Sequence, residues 1–363
     1  YNLLVFIFIN IFFYRISEHG TDRSAQILIL ILFSELLLFL NFKIFKDRVI
    51  SKILLLIGLV VSFKAFYILY TIFFFIILIH LLKLKFSLIK IINNFFSNYY
   101  FLSFIFLLIL ILLHNFLISG CLVYPVSITC FDSNIWAIKI DEVNNLNNWY
   151  EQWSKAGAGP NFRVEDPLTY IQNFNWVNNW IDKYFFNKVS DYLLSLMFLI
   201  IIIFYLLKSK KTKINSNRKI NFVISFALLL LFEWFYNHPS LRYGGYCLIS
   251  GIIFVLFSVK MEKYKTNYAN LSKKINFLIL ITITIFILRN VNRINFEFKE
   301  YNYKPFKIFF YNVSEKQFTL QNNLNLLIDN YEECSKYKRN CDYRNDFNIG
   351  VQKKYGKYIF FKY

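Results

Sequence analysis

The chain has 363 residues, 41 Lys and Arg against 22 Asp and Glu, a net charge of +19, and 57% hydrophobic residues. Its apolar residues run in unbroken stretches of about 18 or more, which suit membrane spans better than soluble core helices. This composition excludes a soluble enzyme, a small secreted disulfide domain and a disordered tail. It also argues against a nucleic-acid binder, because the basic residues lie between spans rather than along one soluble face.

The chain starts at Tyr1, and its first apolar run, 2–14, is short for a span. It has no basic leader region or small-residue cleavage site, so it is not a signal peptide. It reads as a membrane helix whose start has been cut away. Nine membrane segments are expected, near 2–14, 25–42, 50–63, 65–82, 99–119, 191–207, 220–237, 243–259 and 275–288. The stretch 50–82 would make about 50 Å of continuous helix at 1.5 Å per residue. A hydrocarbon core of about 30 Å is too thin for that as one span. A hairpin turning near Lys64, or a broken helix, is expected.

Loop charge sets an orientation. The segments 43–52, 83–98, 208–219 and 260–274 carry 4, 3, 6 and 5 Lys and Arg, whereas 15–24, the turn at 64 and 238–242 carry 2, 1 and 1. Basic loops mark the cytoplasmic side, which leaves 120–190 and the tail outside. Four of the five cysteines fall in those two outside segments. The pairs Cys121–Cys130 and Cys334–Cys341 would close short loops in an oxidising compartment; free thiols close in sequence are the plain alternative.

The expected architecture is an all-α polytopic membrane protein of about nine transmembrane helices. Membrane helices occupy 1–119 and 191–288. An outside Trp-rich loop with interfacial helices occupies 120–190, and a small outside α+β domain occupies 289–363. The loop holds Trp136, Trp149, Trp153, Trp176 and Trp180. Asp166-Pro167 starts a helix, and Ile171, Phe174, Val177 and Ile181 continue it at helical spacing. These tryptophans form an interfacial belt, offer a flat platform to a sugar or lipid-linked substrate, or do both. In the tail, 306–312 and 357–363 look strand-like.

Ionisable residues in or near spans are costly and often functional. Glu18, His19, Asp22 and Arg23 fall in the first outside loop, and Lys64 at the outside turn. His114 and Glu233 lie near the outer ends of their spans, with His238 and Arg242 in the turn after 220–237. Only Glu35 sits deep. Such one-sided placement suggests an outward polar cavity; short polar turns with snorkelling side chains are the alternative. Arg23, Lys64 and Arg242 suit phosphate binding, with His114, Glu233, Trp149, Trp153, Trp176 and Trp180 as further substrate contacts. Glu18 or Asp22 could serve as general base, with His238 sharing the work. Glu18 and Asp22 could equally be loop charges beside a helix cap. Pro239, Gly244 and Gly245 shape the turn. No nucleotide, zinc-protease or paired-cysteine metal motif is present, so no cofactor or metal is implied.

The motifs YRISEHGTDRSAQIL at 14–28, SGCLVYP at 119–125 and HPSLRYGG at 238–245, with the span layout, resemble poorly characterised multi-pass bacterial membrane proteins. These are similar to O-antigen or surface-polysaccharide polymerases and to C-type glycosyltransferases. The resemblance implies transfer or polymerisation of a polyprenyl-diphosphate saccharide at the outer face of a bacterial inner membrane, with the C-terminus outside. It implies Arg242, His238 and Glu18 or Asp22 as site residues, and membrane lipid and the lipid-linked saccharide as partners. The first outside loop is shorter than the catalytic loop of typical C-type transferases. A flippase of the same substrates, or a non-catalytic assembly subunit, are the alternatives.

Overall fold

The computed structural model describes residues 1–15, 20–41, 47–131, 133, 136–159, 164, 166–208, 210–211, 220–265, 268–301, 319–336, 349–354 and 356–362. The chain divides into two compact units, Tyr1–Phe286 and Ile287–Tyr363.

In the first unit the apolar runs become helices. They begin with α1 (Asn2–Phe12), α2 (Thr21–Asn41) and α3 (Asp47–Phe63). Lys64 is extended, and a 3-10 segment, Ala65–Ile72, folds back on α3 before continuing as α4 (Phe73–Lys83). A hairpin therefore turns at Lys64. Next come α5 (Leu88–Phe96), capped by the Ser87 hydroxyl, and α6 (Tyr99–Ser119), capped by the Asn98 side chain. Each cap satisfies an amide that the helix start leaves free.

The segment after α6 folds outside the apolar runs. Cys121 and Cys130 form a disulfide, and the backbone pairs across it from Phe131 N to Gly120 O at 2.9 Å. Gly120 ends α6 at φ 78°, and a Cβ there would lie 2.5 Å from the Ala137 Cβ. Gly120→Ala should therefore lose roughly 1–3 kcal/mol of stability, from left-handed strain plus overpacking. Thermal unfolding in detergent would read this. Gly159→Ala, whose added methyl meets nothing within 4 Å, is the control and should leave the midpoint unmoved.

Beyond this lie α7 (Ile140–Lys155), α8 (Pro167–Ile171) and α9 (Val177–Trp180), which runs through a π-helical stretch, Ile181–Val189, into α10 (Ser190–Leu207). The expected amphipathic helix from Pro167 to Tyr184 is broken after Ile171, where Gln172 is extended and Asn173 adopts φ 51°. Asn tolerates this left-handed conformation because its side chain can bond locally. Then follow β1 (Lys210–Lys211), α11 (Ile220–Asn237), a 3-10 turn at Leu241–Tyr243, α12 (Gly245–Met261), β2 (Tyr264–Lys265) and α13 (Tyr268–Tyr301). The strands β1 and β2 pair antiparallel.

Helix α2 is central. Ile29, Leu32, Phe33 and Leu36 are buried on it, and it packs against α1, α3, α11 and α12. The outward faces are apolar instead: Leu117, Ile118, Leu194, Phe198, Phe232 and Leu280 are all more exposed than buried. Such a surface suits lipid tails, not water. Among the described residues, six helical stretches are long and apolar enough to cross a membrane: Thr21–Leu40, Phe66–Lys83, Tyr99–Ser119, Val177–Leu207, Ile220–Asn237 and Asn270–Glu300. This is the pattern of a multi-pass membrane protein. Glu35, expected to sit deep, pairs with Lys52 of α3 at 3.7 Å.

The unit boundary falls within α13, which continues well past the expected span end at 288. The second unit adds α14 (Thr319–Lys336) and an antiparallel hairpin of β3 (Ile349–Lys354) and β4 (Lys357–Lys362). The hairpin turns at Gly356, φ 74°. Glu332 of α14 ties the two together, accepting from Tyr358 and from Lys353 at 3.1 Å. Those donors hold its carboxyl below the usual range. Cys334 is disulfide-bonded. Cys341, its expected partner, and the stretch 306–312 lie outside the described residues.

Candidate functional site

Three segments distant in sequence converge on one carboxylate. Asp22 lies in the first turn of α2, where the helix dipole favours a negative charge. Its side chain is 3% exposed; Oδ1 accepts from Lys64 Nζ at 2.8 Å and Oδ2 from Arg242 Nε at 2.6 Å. The two cations stay 35% and 39% exposed. The carboxylate is thus closed off while its cations face open space, which leaves an approach for an anion.

One turn further along α2, the buried Gln26 donates from Nε2 to the Arg242 carbonyl at 2.7 Å. Its Oε1 and the Tyr67 hydroxyl are buried together, neither in a well-formed hydrogen bond. Arg23 turns the other way. It donates to the Phe12 carbonyl at 3.0 Å and lies over the Phe13 ring at 4.5 Å, which ties α2 to the end of α1.

The turn carrying His238 and Arg242 is clamped by indoles. Trp180 Nε1 donates to the Pro239 carbonyl at 2.9 Å, and Trp234 Nε1 donates to the Ser240 carbonyl at 2.8 Å. The Tyr184 hydroxyl accepts from the Leu241 amide at 2.9 Å. Gly244 leaves the turn at φ 111°, and a Cβ on Gly245 would meet the Trp234 ring at 2.4 Å. The glycines are therefore needed for both the backbone direction and the close packing.

His238 packs edge-on against Phe66 and Tyr243, with ring centroids 5.3 and 5.9 Å away. Burial, then the positive charges of Lys155 and Lys64, lower its pKa to about 4. The ring is neutral at physiological pH, and its Nδ1 is buried without a hydrogen bond. Tyr243 is the aromatic centre of the cluster. Lys64 Nζ lies 4.7 Å from its ring centroid, and Trp153 packs on it at 5.8 Å. Burial pushes its hydroxyl up to about 12, so it stays protonated. Lys155, at the end of α7, is fully buried; it pairs with Glu151, donates to the Ile171 carbonyl at 3.0 Å and lies over Trp176 at 5.2 Å.

The structure thus brings together Asp22, Lys64, His238, Arg242 and Trp153 of the residues expected from sequence. Glu18 lies outside the described residues. Glu233 accepts from Asn237 at 3.1 Å, within α11. His114 is exposed along α6. Trp149 is half exposed, whereas Trp176 and Trp180 are buried. As a substrate platform those two offer no free face; they pack the core, and Trp180 fixes the turn. Gln26, Tyr67, Lys155 and Tyr243 were not anticipated. Gln26 carried a signal, being polar and four residues after Asp22 on an apolar helix; Lys155 sits in an ordinary polar helix and carried none. Among the described residues, no group of three or more His, Cys, Asp or Glu is placed to hold a metal ion.

No curated protein matches the chain, and no solved structure matches it. A family model does match, over residues 1–249, which include every member of the Asp22 cluster. The chain belongs to that family, described as Domain of unknown function (DUF8201).

Proposed function

We propose that the Asp22 cluster binds the diphosphate of a polyprenyl-linked saccharide and transfers or polymerises the sugar at the outer face of a bacterial inner membrane. The reading takes the bundle as nine spans with the basic loops inside and the C-terminus outside. One observation carries it: a buried carboxylate at the start of α2 holds two half-open cations, one from the turn at Lys64 and one from the turn at 238–244. One negative and two positive charges leave a net positive site, and an Arg and a Lys on one face suit a diphosphate.

In the transfer step, an acceptor hydroxyl oxygen bonds to the anomeric carbon. The bond from that carbon to the diphosphate oxygen breaks, and the electron pair leaves with the polyprenyl diphosphate. Arg242 and Lys64 meet the developing charge. The hydroxyl proton passes to the neutral His238 imidazole. Asp22, with both oxygens engaged, orients the cations and does not take the proton. Among the described candidates that leaves His238 as the base, with Asp22 positioning Lys64 and Arg242.

Deleting the gene should collapse the surface polysaccharide to single-unit bands. The wild-type gene should restore the ladder. Arg242→Ala should not, with long-chain product down on the order of 100-fold at an equal protein level. An unchanged ladder in the deletion strain overturns the reading and moves the weight to transport or assembly.

A further inference from the structure

A second polar cavity lies at the other end of α3. From Lys64 back to Arg48 is about 24 Å of helix at 1.5 Å per residue, so this cavity is separate from the Asp22 cluster and does not rest on its function. Its volume is ≈ 420 Å³, and it is lined by Arg48 and Ser51 of α3, Asn94 of α5, Ser97 and Asn98 between α5 and α6, and the first residues of α6, Tyr99 and Tyr100. Ser51 and Asn98 hydrogen bond side chain to side chain, at 3.0 Å from Asn98 Nδ2 to Ser51 Oγ, and so knit the two walls together. The lining holds one cation and no carboxylate. Among the described residues no acid pairs with Arg48.

What borders the cavity identifies its occupant. Helix α5 is amphipathic. Ile91 and Phe95 point into the bundle, whereas Leu88, Ile89, Ile92 and Phe96 are exposed. Lys90, Asn93 and Asn94 occupy the remaining arc. A short helix with one apolar arc buried in protein and the adjoining apolar arc bare lies at the membrane surface, with the bare arc in acyl chains. Tyr99 and Tyr100, largely exposed beside it, sit where tyrosines favour the headgroup level. A cavity that opens beside this helix meets phosphate above and acyl chain below.

We propose that this cavity binds the headgroup of an anionic phospholipid, with Arg48 on the phosphate, Asn94 and the Tyr99 and Tyr100 hydroxyls as hydrogen-bonding partners, and the acyl chains along Leu88, Ile92 and Phe96. Arg suits a phosphate oxygen pair, and a polybasic end of a bundle draws anionic lipid towards it. The acidic lipid then holds α5 against α3 and α6.

Native mass spectrometry of the full chain, titrated with phosphatidylglycerol, phosphatidylcholine or inorganic phosphate, tests this. The expected result is retention of one phosphatidylglycerol, about tenfold weaker in Arg48→Gln and changed less than twofold in Lys90→Gln. Lys90→Gln removes the same charge from the same end without touching the cavity lining. Equal losses in both variants would show diffuse attraction and overturn the site. Equal retention of phosphatidylcholine would remove the headgroup charge from it. Binding of inorganic phosphate as tight as the lipid would make it a free-phosphate site. A photoreactive phosphatidylglycerol on the wild-type chain gives a reading independent of variant folding: labels should fall on 48 and 94–100, and labelling elsewhere alone would sink the proposal.

Discussion

Asp22→Ala is expected to abolish transfer and to destabilise the protein by roughly 3 kcal/mol, the lower end of the range for breaking a buried ion pair. The lower end applies because Lys64 and Arg242 stay more than a third exposed and water can solvate them once the carboxylate has gone. The loss has two sources. Two cations held near one acid would repel each other without it, and Gln26, which fixes the Arg242 carbonyl from the same helix, would hold a turn whose charged side chain has no anchor.

A double-mutant cycle separates these from simple loss of a side chain. Asp22→Asn keeps the shape and removes the charge; Arg242→Gln removes its partner. If the pair is made as described, the double variant should be less destabilised than the sum of the singles by about 1–2 kcal/mol. Thermal or denaturant unfolding in one detergent gives all four corners. Additivity within about 0.5 kcal/mol would mean that the two residues do not act on each other.

Sequence alone could reach some of this and not the rest, for identifiable reasons. The helices of the bundle were legible because lipid demands long apolar runs whatever they pack against. The hairpin at Lys64 was legible from length, since one crossing cannot hold 33 residues. Asp22, Lys64, His238 and Arg242 stood out singly because charge near a bilayer is costly. Their partnership did not, because Asp22 and Arg242 are 220 residues apart and only the packing of α2 against α11 and the Leu241–Tyr243 turn brings them together. Tryptophans were ambiguous by nature. An indole serves a surface platform or a buried clamp equally well, and Trp180 proved a clamp only through its bond to the Pro239 carbonyl. The helix over 167–184 had the right periodicity for continuity, yet an extended Gln172 followed by a left-handed Asn173 interrupts it. Periodicity reports which face is apolar; it does not report where the backbone turns.

His238 carries the second large effect, and its sign follows from where its proton binds. Unfolded, its pKa is the ordinary 6.5; folded, burial and the nearby Lys155 and Lys64 charges lower it to about 4. Between these values the unfolded chain binds a proton that the folded chain refuses. The stability contribution is therefore complete above pH 6.5 and falls away as the pH drops towards 4, by about 3 kcal/mol in all. His238→Gln removes this one source of acid sensitivity and leaves every carboxylate in place. The two stability profiles should run parallel above pH 6.5 and converge below it. Profiles that stay parallel down to pH 4 would mean that His238 titrates near its ordinary value. The same low pKa predicts a transfer rate with no inflection near pH 6.5, since the imidazole is already neutral there. An inflection near pH 6.5 in the wild-type rate would mean that the ring titrates at its ordinary value, and so is not the buried, already neutral base described here.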